Sequence, residues 1–236
     1  MNAITRTING KLVADEQEIR TFVDCLFRYA DAGTLVGLRS FTHDKDDQIA
    51  RIQGWPQVDS GNARLIAAAV RAATESANSP IGLVFAPPVA TFTEQVAGQK
   101  QQARLVDLAN GLCISVELDE GDIGALRQKL EGLLGLATVV VASGGVWIDP
   151  ETGEIHDKLH LHWRLSEPTL APDEHAKLRA ARNSAALLVG ADMTAVPLVH
   201  PLRWPGSWHC KDKSAPKPCR ILASDPHHLS VSATHG

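Results

Sequence analysis

The sequence is poor in cysteine, in long apolar runs and in tyrosine, and each scarcity removes a class of protein. Its four cysteines, Cys25, Cys113, Cys210 and Cys219, form no CxxC pair and have no regular close spacing. That argues against a secreted disulfide framework, and they read as reduced thiols. No stretch approaches the roughly 20 consecutive apolar residues that a bilayer span requires. The N-terminus also lacks a basic segment followed by an apolar one, so the expected setting is the cytoplasm, with no membrane partner. The single tyrosine, Tyr29, sits within an apolar helical pattern, so tyrosyl chemistry has one position available to it. There is no internal repeat and no low-complexity tract.

What remains is a chain of 236 residues with 44% hydrophobic content, enough for one sizeable core or two small ones. The formal charge of −4 is unevenly spread. Residues 117–122 read Glu-Leu-Asp-Glu-Gly-Asp, four acids in six positions, whereas Arg203, Lys211, Lys213, Lys217 and Arg220 have only Asp212 as a local acid. The first segment suits cations and the second phosphates.

Apolar residues at helical spacing, Ile19, Phe22, Val23, Leu26 and Phe27, predict an amphipathic helix over 16–30. The alanine-rich stretch Asn62 to Ala77, after Asp59-Ser60-Gly61, predicts a second, and residues 40–58, mixed in charge and without period, a loop. Ile81 to Phe85 reads as a short buried strand bounded by prolines. From about residue 111 the order is strand, helix, strand, hairpin, helix, strand, the pattern of a mixed α/β layer. Its members are strand 113–119, helix Ile123–Leu134, strand Ala137–Ala142, a Ser143-Gly144-Gly145 turn, a hairpin about 149–154, strand Lys158–Leu165, and helix Asp173–Val189 ending at Gly190. The division expected is an N-terminal helical region, 1–79, packing on a catalytic domain, 80–225, with a tail at 226–236.

Alternation in strand 113–119 puts Glu117 and Asp119 on one face, about 7 Å apart by the rise of a strand, where they could share hard cations through oxygen. In the second strand Lys158, His160, His162 and Arg164 share one face, and such side chains suit a triphosphate or a metal. Asp192 follows a helix and Gly190. Gly206 lets a backbone approach a ligand closely, and the cations that begin at Lys211 could draw in a charged chain.

These features, in this order, resemble the archaeo-eukaryotic primase superfamily, and within it the primase domains of phages, plasmids and other prokaryotic mobile elements. The resemblance rests on Val116-Glu117-Leu118-Asp119, Ser143-Gly144-Gly145, His160-Leu161-His162-Trp163, Asp192, and Arg203-Trp204-Pro205-Gly206-Ser207 with Lys211. It covers about residues 80–222. It departs from the pattern in having Glu117 where those enzymes usually have Asp, and in residues 146–157, inserted as a hairpin between Ser143 and the histidine. The resemblance implies an α+β fold with an RRM-like antiparallel or mixed sheet and flanking helices. It implies that Glu117, Asp119 and Asp192 hold two Mg²⁺ or Mn²⁺ ions. His160, with Lys158, His162, Ser143, Arg203 and Lys211, would contact the nucleoside triphosphate. Single-stranded DNA is the implied template, NTP or dNTP the substrate, and a replicative helicase domain or protein a partner. Which of His160 and His162 meets phosphate stays open, though alignment to the aromatic pair favours His160.

Two other readings compete. His160-Leu161-His162 fits the His-hydrophobic-His pattern of nucleases that nick single-stranded DNA through a tyrosine, here Tyr29. A replication initiator that binds DNA without turnover would keep the same fold. A zinc site from His209, Cys210, Cys219 and His227 or His228 matches no standard module, so these read as buried thiols and surface histidines.

Overall fold

In the computed structural model, which describes residues 7–8, 10–42, 50–98 and 103–225, the chain forms strands and four α-helices. A short hairpin of β1 (Thr7–Ile8) and β2 (Lys11–Leu12) leads to α1 (Glu16–Leu26). Asp15 starts this helix by accepting the Gln17 and Glu18 amides at 2.9 and 3.3 Å, and Glu16 and Glu18 place acid where the helix dipole favours it. Ile19, Phe22, Val23 and Leu26 then form a fully buried stripe.

Next come β3 (Leu38–Thr42), β4 (Ala50–Gly54), α2 (Ala63–Ala77), β5 (Leu83–Phe85) and β6 (Ala90–Phe92). β3 lies between β4 and β5 in a three-stranded antiparallel sheet, which therefore takes strands from both sides of residue 80. Residues 40–58 are thus not a loop throughout: they hold the end of β3 and all of β4, while 43–49 lie outside the described residues. β4 is an edge strand with Ala50 and Arg51 exposed, so it carries no apolar alternation for a sequence reading to find.

The second half supplies β7 (Leu108–Leu118), α3 (Ile123–Leu134), β8 (Val139–Ile148), β9 (Ile155–Thr169), α4 (Pro172–Val189), β10 (Trp208–His209), β11 (Lys217–Pro218) and β12 (Arg220–Ser224). The main sheet has the order β12-β8-β9-β7-β6, antiparallel throughout, so the histidine-bearing β9 is central. One face sends Cys113, Val139 and Val141 into a core with α1 and α2. The other sends Ile114, Val116, Val140, Leu161 and Trp163 into a core with Ile123 and Leu130 of α3 and Leu178, Ala185 and Val189 of α4. Helices therefore cover both faces of the sheet, which is of the α+β class expected and carries flanking helices. Among the described residues no helix is long and apolar enough to cross a membrane.

Trp204 joins the two halves. It is fully buried, its ring 5.1 to 5.8 Å from those of Phe22, Phe27 and Phe85, and its indole N–H donates to the Pro87 carbonyl at 3.1 Å. Two residues on, Gly206 serves this junction rather than a ligand, which corrects the expectation from sequence. Its φ is +78°, its carbonyl accepts the Asp15 amide at 2.8 Å, and a Cβ there would collide with the Asp15 carbonyl. Gly206→Ala is expected to cost about 2 kcal/mol or more through positive-φ strain and overpacking, seen as a lower urea midpoint. An unchanged midpoint would refute that role.

Candidate active site

The register of β7 against β9 sets Cys113 opposite Arg164, Ser115 opposite His162 and Glu117 opposite His160. Polar side chains of the two central strands therefore meet in cross-strand pairs. One step further, Lys158 Nζ lies 3.5 Å from Asp119 Oδ2.

This ladder runs from core to surface. Arg164 is buried, donates to the Cys25 carbonyl at 2.7 Å, and lies 4.8 Å from the centre of the Tyr29 ring. His162 is fully buried, with Nδ1 2.9 Å from Ser115 Oγ and the Phe22 ring against it edge-on. Burial first, then the charges of His160 and Arg182, push its pKa well below the ordinary histidine value, so the ring is neutral. His162 and Arg164 thus face α1 in the core and not open space, because β9 is central and α1 covers that part of it.

Glu117 sits where the ladder nears the surface. His160 Nε2 is 3.2 Å from its Oε1 and His200 Nε2 is 3.7 Å from its Oε2. Burial alone would raise the Glu117 pKa; the close imidazoles of His160 and His200 outweigh it and hold the carboxyl well below the usual carboxylate range. His200 was not singled out in the sequence. Its signal was a histidine three positions before Arg203, in the segment whose prolines and tryptophan had already drawn notice.

Asp119 and Lys158 each line two cavities. The larger, about 680 Å³, is also bordered by Gly144, Gly145, Arg203, His209, Lys211 and Lys217. The smaller, about 340 Å³, is bordered by Glu120, Gly190 and Asp192. Asp192 caps the 3₁₀ turn Met193–Ala195, its oxygens accepting the Thr194 amide and hydroxyl, each at 2.8 Å. Asp119 and Asp192 thus open on one cavity, while Glu117 is turned to two imidazoles. Among the described residues no three His, Cys, Asp or Glu side chains form a cluster ready to enclose a metal. Two carboxylates still fit a hard cation that completes its shell with water and phosphate oxygen.

Ser143-Gly144-Gly145 is not a turn between elements but a bulge inside β8, where the four steps from Ala142 to Val146 face the two from Leu159 to Asp157. Ser143 is buried, with Arg203 Nη2 3.4 Å from its hydroxyl and the Cys219 thiol 3.2 Å from its carbonyl. Burial pushes the Cys219 thiol up to about 11. Gly144 has φ +77°, and a Cβ there would stand 2.6 Å from His209 Cβ, so the β10–β11 hairpin rests on bare main chain. His227 and His228 of the conceivable zinc site lie outside the described residues.

No protein-family model matches this sequence, and no curated protein is similar to it. In three dimensions it matches the AEP domain of the cyanophage S-2L primase-polymerase, over 92% of this chain and 95% of that one, with a TM-score of 0.59 and 14% sequence identity. The fold is that of an archaeo-eukaryotic primase-polymerase domain. At this identity the likeness speaks for the AEP fold alone. Within the AEP fold here, β8 and β9 run on past the cleft as a paired arm, Val146 with Asp157, Trp147 with His156 and Ile148 with Ile155.

Because the Glu117 carboxyl is held low, its contribution to stability is present above the ordinary value of 4.5 and is lost as the pH falls toward its folded value. The wild-type chain should therefore lose stability on acidification below that value, and Glu117→Gln should flatten this loss. Urea midpoints measured between about pH 6 and about pH 3 check this, and parallel curves for the two proteins would contradict it.

Proposed function

We propose that the chain is a template-dependent nucleotidyltransferase, a DNA primase or primase-polymerase that joins NTP or dNTP along a single-stranded DNA template. The observation that carries this reading is a cleft with carboxylates on one side and cations on the other, built on an AEP-type sheet. A helicase, joined or separate, would supply the single strand.

Arg203, Lys211 and Lys217 border a cavity of a size suited to a nucleoside triphosphate, and guanidinium and ammonium groups neutralise phosphate oxygens. Lys158 lines both cavities and stands between the phosphate side and the acids. Gly144 and Gly145 line the same cavity, with His209 packed against the first and Lys158 against the second. Asp119 and Asp192, which open on one cavity, would hold the Mg²⁺ or Mn²⁺ ions, and Glu117 would join them on giving up an imidazole partner. Ions bound there would supply charge neutralisation and a lowered pKa for the attacking 3′-hydroxyl. The chain's own contribution is to hold the triphosphate in line with that hydroxyl and to offset charge on the leaving group. Of the two histidines His160 is the one assigned to the nucleotide, although its ring is buried beside Glu117.

A tyrosine-dependent nicking enzyme would need both histidines open to one metal, with Tyr29 beside them. His162 is closed on Ser115, and Tyr29 packs at Arg164, about 13 Å along β9 from His160 by the rise of a strand. No observation favours that reading. A non-catalytic DNA-binding domain would share every feature of the site and would differ only in the assay.

Purified chain with Mn²⁺ or Mg²⁺, template, and mixed nucleotides should extend a primer or make one. Asp119→Asn should lower kcat by about a hundredfold or more, and Lys211→Ala should raise the nucleotide KM about tenfold. DNA binding without any incorporation would turn the assignment to the non-catalytic domain.

A further inference from the structure

The segment between Asp192 and Arg203 delivers His200 to Glu117, yet beyond the turn at Met193–Ala195 it has no regular structure. Two arginines, Arg182 fully buried and Arg39 half-buried, grip its main chain from different elements. Arg182 of α4 donates through Nη1 to the Pro197 carbonyl at 3.1 Å, and through Nε and Nη2 to the Cys113 carbonyl at 3.1 and 3.0 Å. Its Nη2 is also 3.3 Å from Ser115 Oγ. The register of β6 on β7 ends at Gly111, which leaves the next stretch of β7 without a strand on that side, and Arg182 supplies donors there. From the small sheet, Arg39 Nη2 donates to the Val199 carbonyl at 3.2 Å.

Burial lowers the pKa of both guanidinium groups, and carbonyl oxygens rather than carboxylates serve them. Burying a cation without an acid is costly, and filling the same volume needs only an apolar side chain. What an arginine adds is a set of directed donors that fix a carbonyl in place. We infer that Arg39 and Arg182 clamp Pro197–His200 and so position His200 against Glu117. Neither touches substrate; both are positioning residues. The small sheet, to which the sequence assigned no role, is one jaw of this clamp. The effect on rate rests on the nucleotidyltransferase reading, whereas the clamp itself does not.

The test compares wild-type chain with Arg39→Met, Arg39→Lys and a core control, Ile66→Val, by amide hydrogen exchange and by nucleotide incorporation. In Arg39→Met, exchange of the Leu198, Val199 and His200 amides should speed up about tenfold or more while the β8 amides stay unchanged. Its kcat should fall between about tenfold and about a hundredfold with nucleotide KM nearly constant, since small misplacements are costly in rate. Arg39→Lys, which keeps a donor, should recover most of the rate, and Ile66→Val should move neither readout. Unchanged exchange at Leu198–His200 overturns the clamp, as does a rate loss that Ile66→Val shares. If wild-type chain incorporates no nucleotide, the polymerase reading falls, and exchange alone then decides whether the clamp stands.

Discussion

The pairing of β7 with β9 is the constraint on which the rest depends. Glu117 meets His160 because the strands are in that register, and a slip of one residue would turn one of the two side chains to the opposite face. The register is fixed from behind. Val116 opposite Leu161 and Leu118 opposite Leu159 are buried in the core that α3 and α4 complete. The packing of apolar side chains on one face thus specifies the alignment of polar side chains on the other.

Along that polar face the way charge is handled changes with depth. At the inner end Arg164 is served by the Cys25 carbonyl and His162 is neutral against Ser115. In the middle Glu117 stays anionic beside two imidazoles, and at the outer end Lys158 and Asp119 form a half-exposed ion pair. Buried charge is tolerated only where directed partners replace water, and the partners here come from several distant parts of the chain. Glu18 in α1 follows the same rule, since its carboxylate accepts the Ile221 amide of β12 at 2.7 Å.

Much of this was legible in the sequence. Alternation assigned the faces of strands 113–119 and 158–165 correctly, and turn chemistry at Asp149-Pro150-Glu151-Thr152-Gly153-Glu154 located the hairpin, where Asp149 accepts the Glu151 and Thr152 amides. Period says which side chains share a face, but not what lies against that face. His162 and Arg164 read as a binding surface because nothing local reveals that α1 covers them. The edge strand β4 was missed because exposure erased its pattern, and Ser143-Gly144-Gly145 looked like a turn because a bulge uses the same residues. The contact of His200 with Glu117 joins segments far apart in the chain, so no local window contains it.

The bulge at Ser143–Gly145 has a further consequence. The large cavity is floored by peptide groups under the β10–β11 hairpin, and a methyl group added at Gly144 would meet His209. A base of this kind has a shape set by dihedral angles rather than by side-chain choice, so it cannot be reshaped one substitution at a time. Any retuning of what the cavity accepts must be written in its walls, at Arg203, Lys211 and Lys217, while the ground beneath them stays the same.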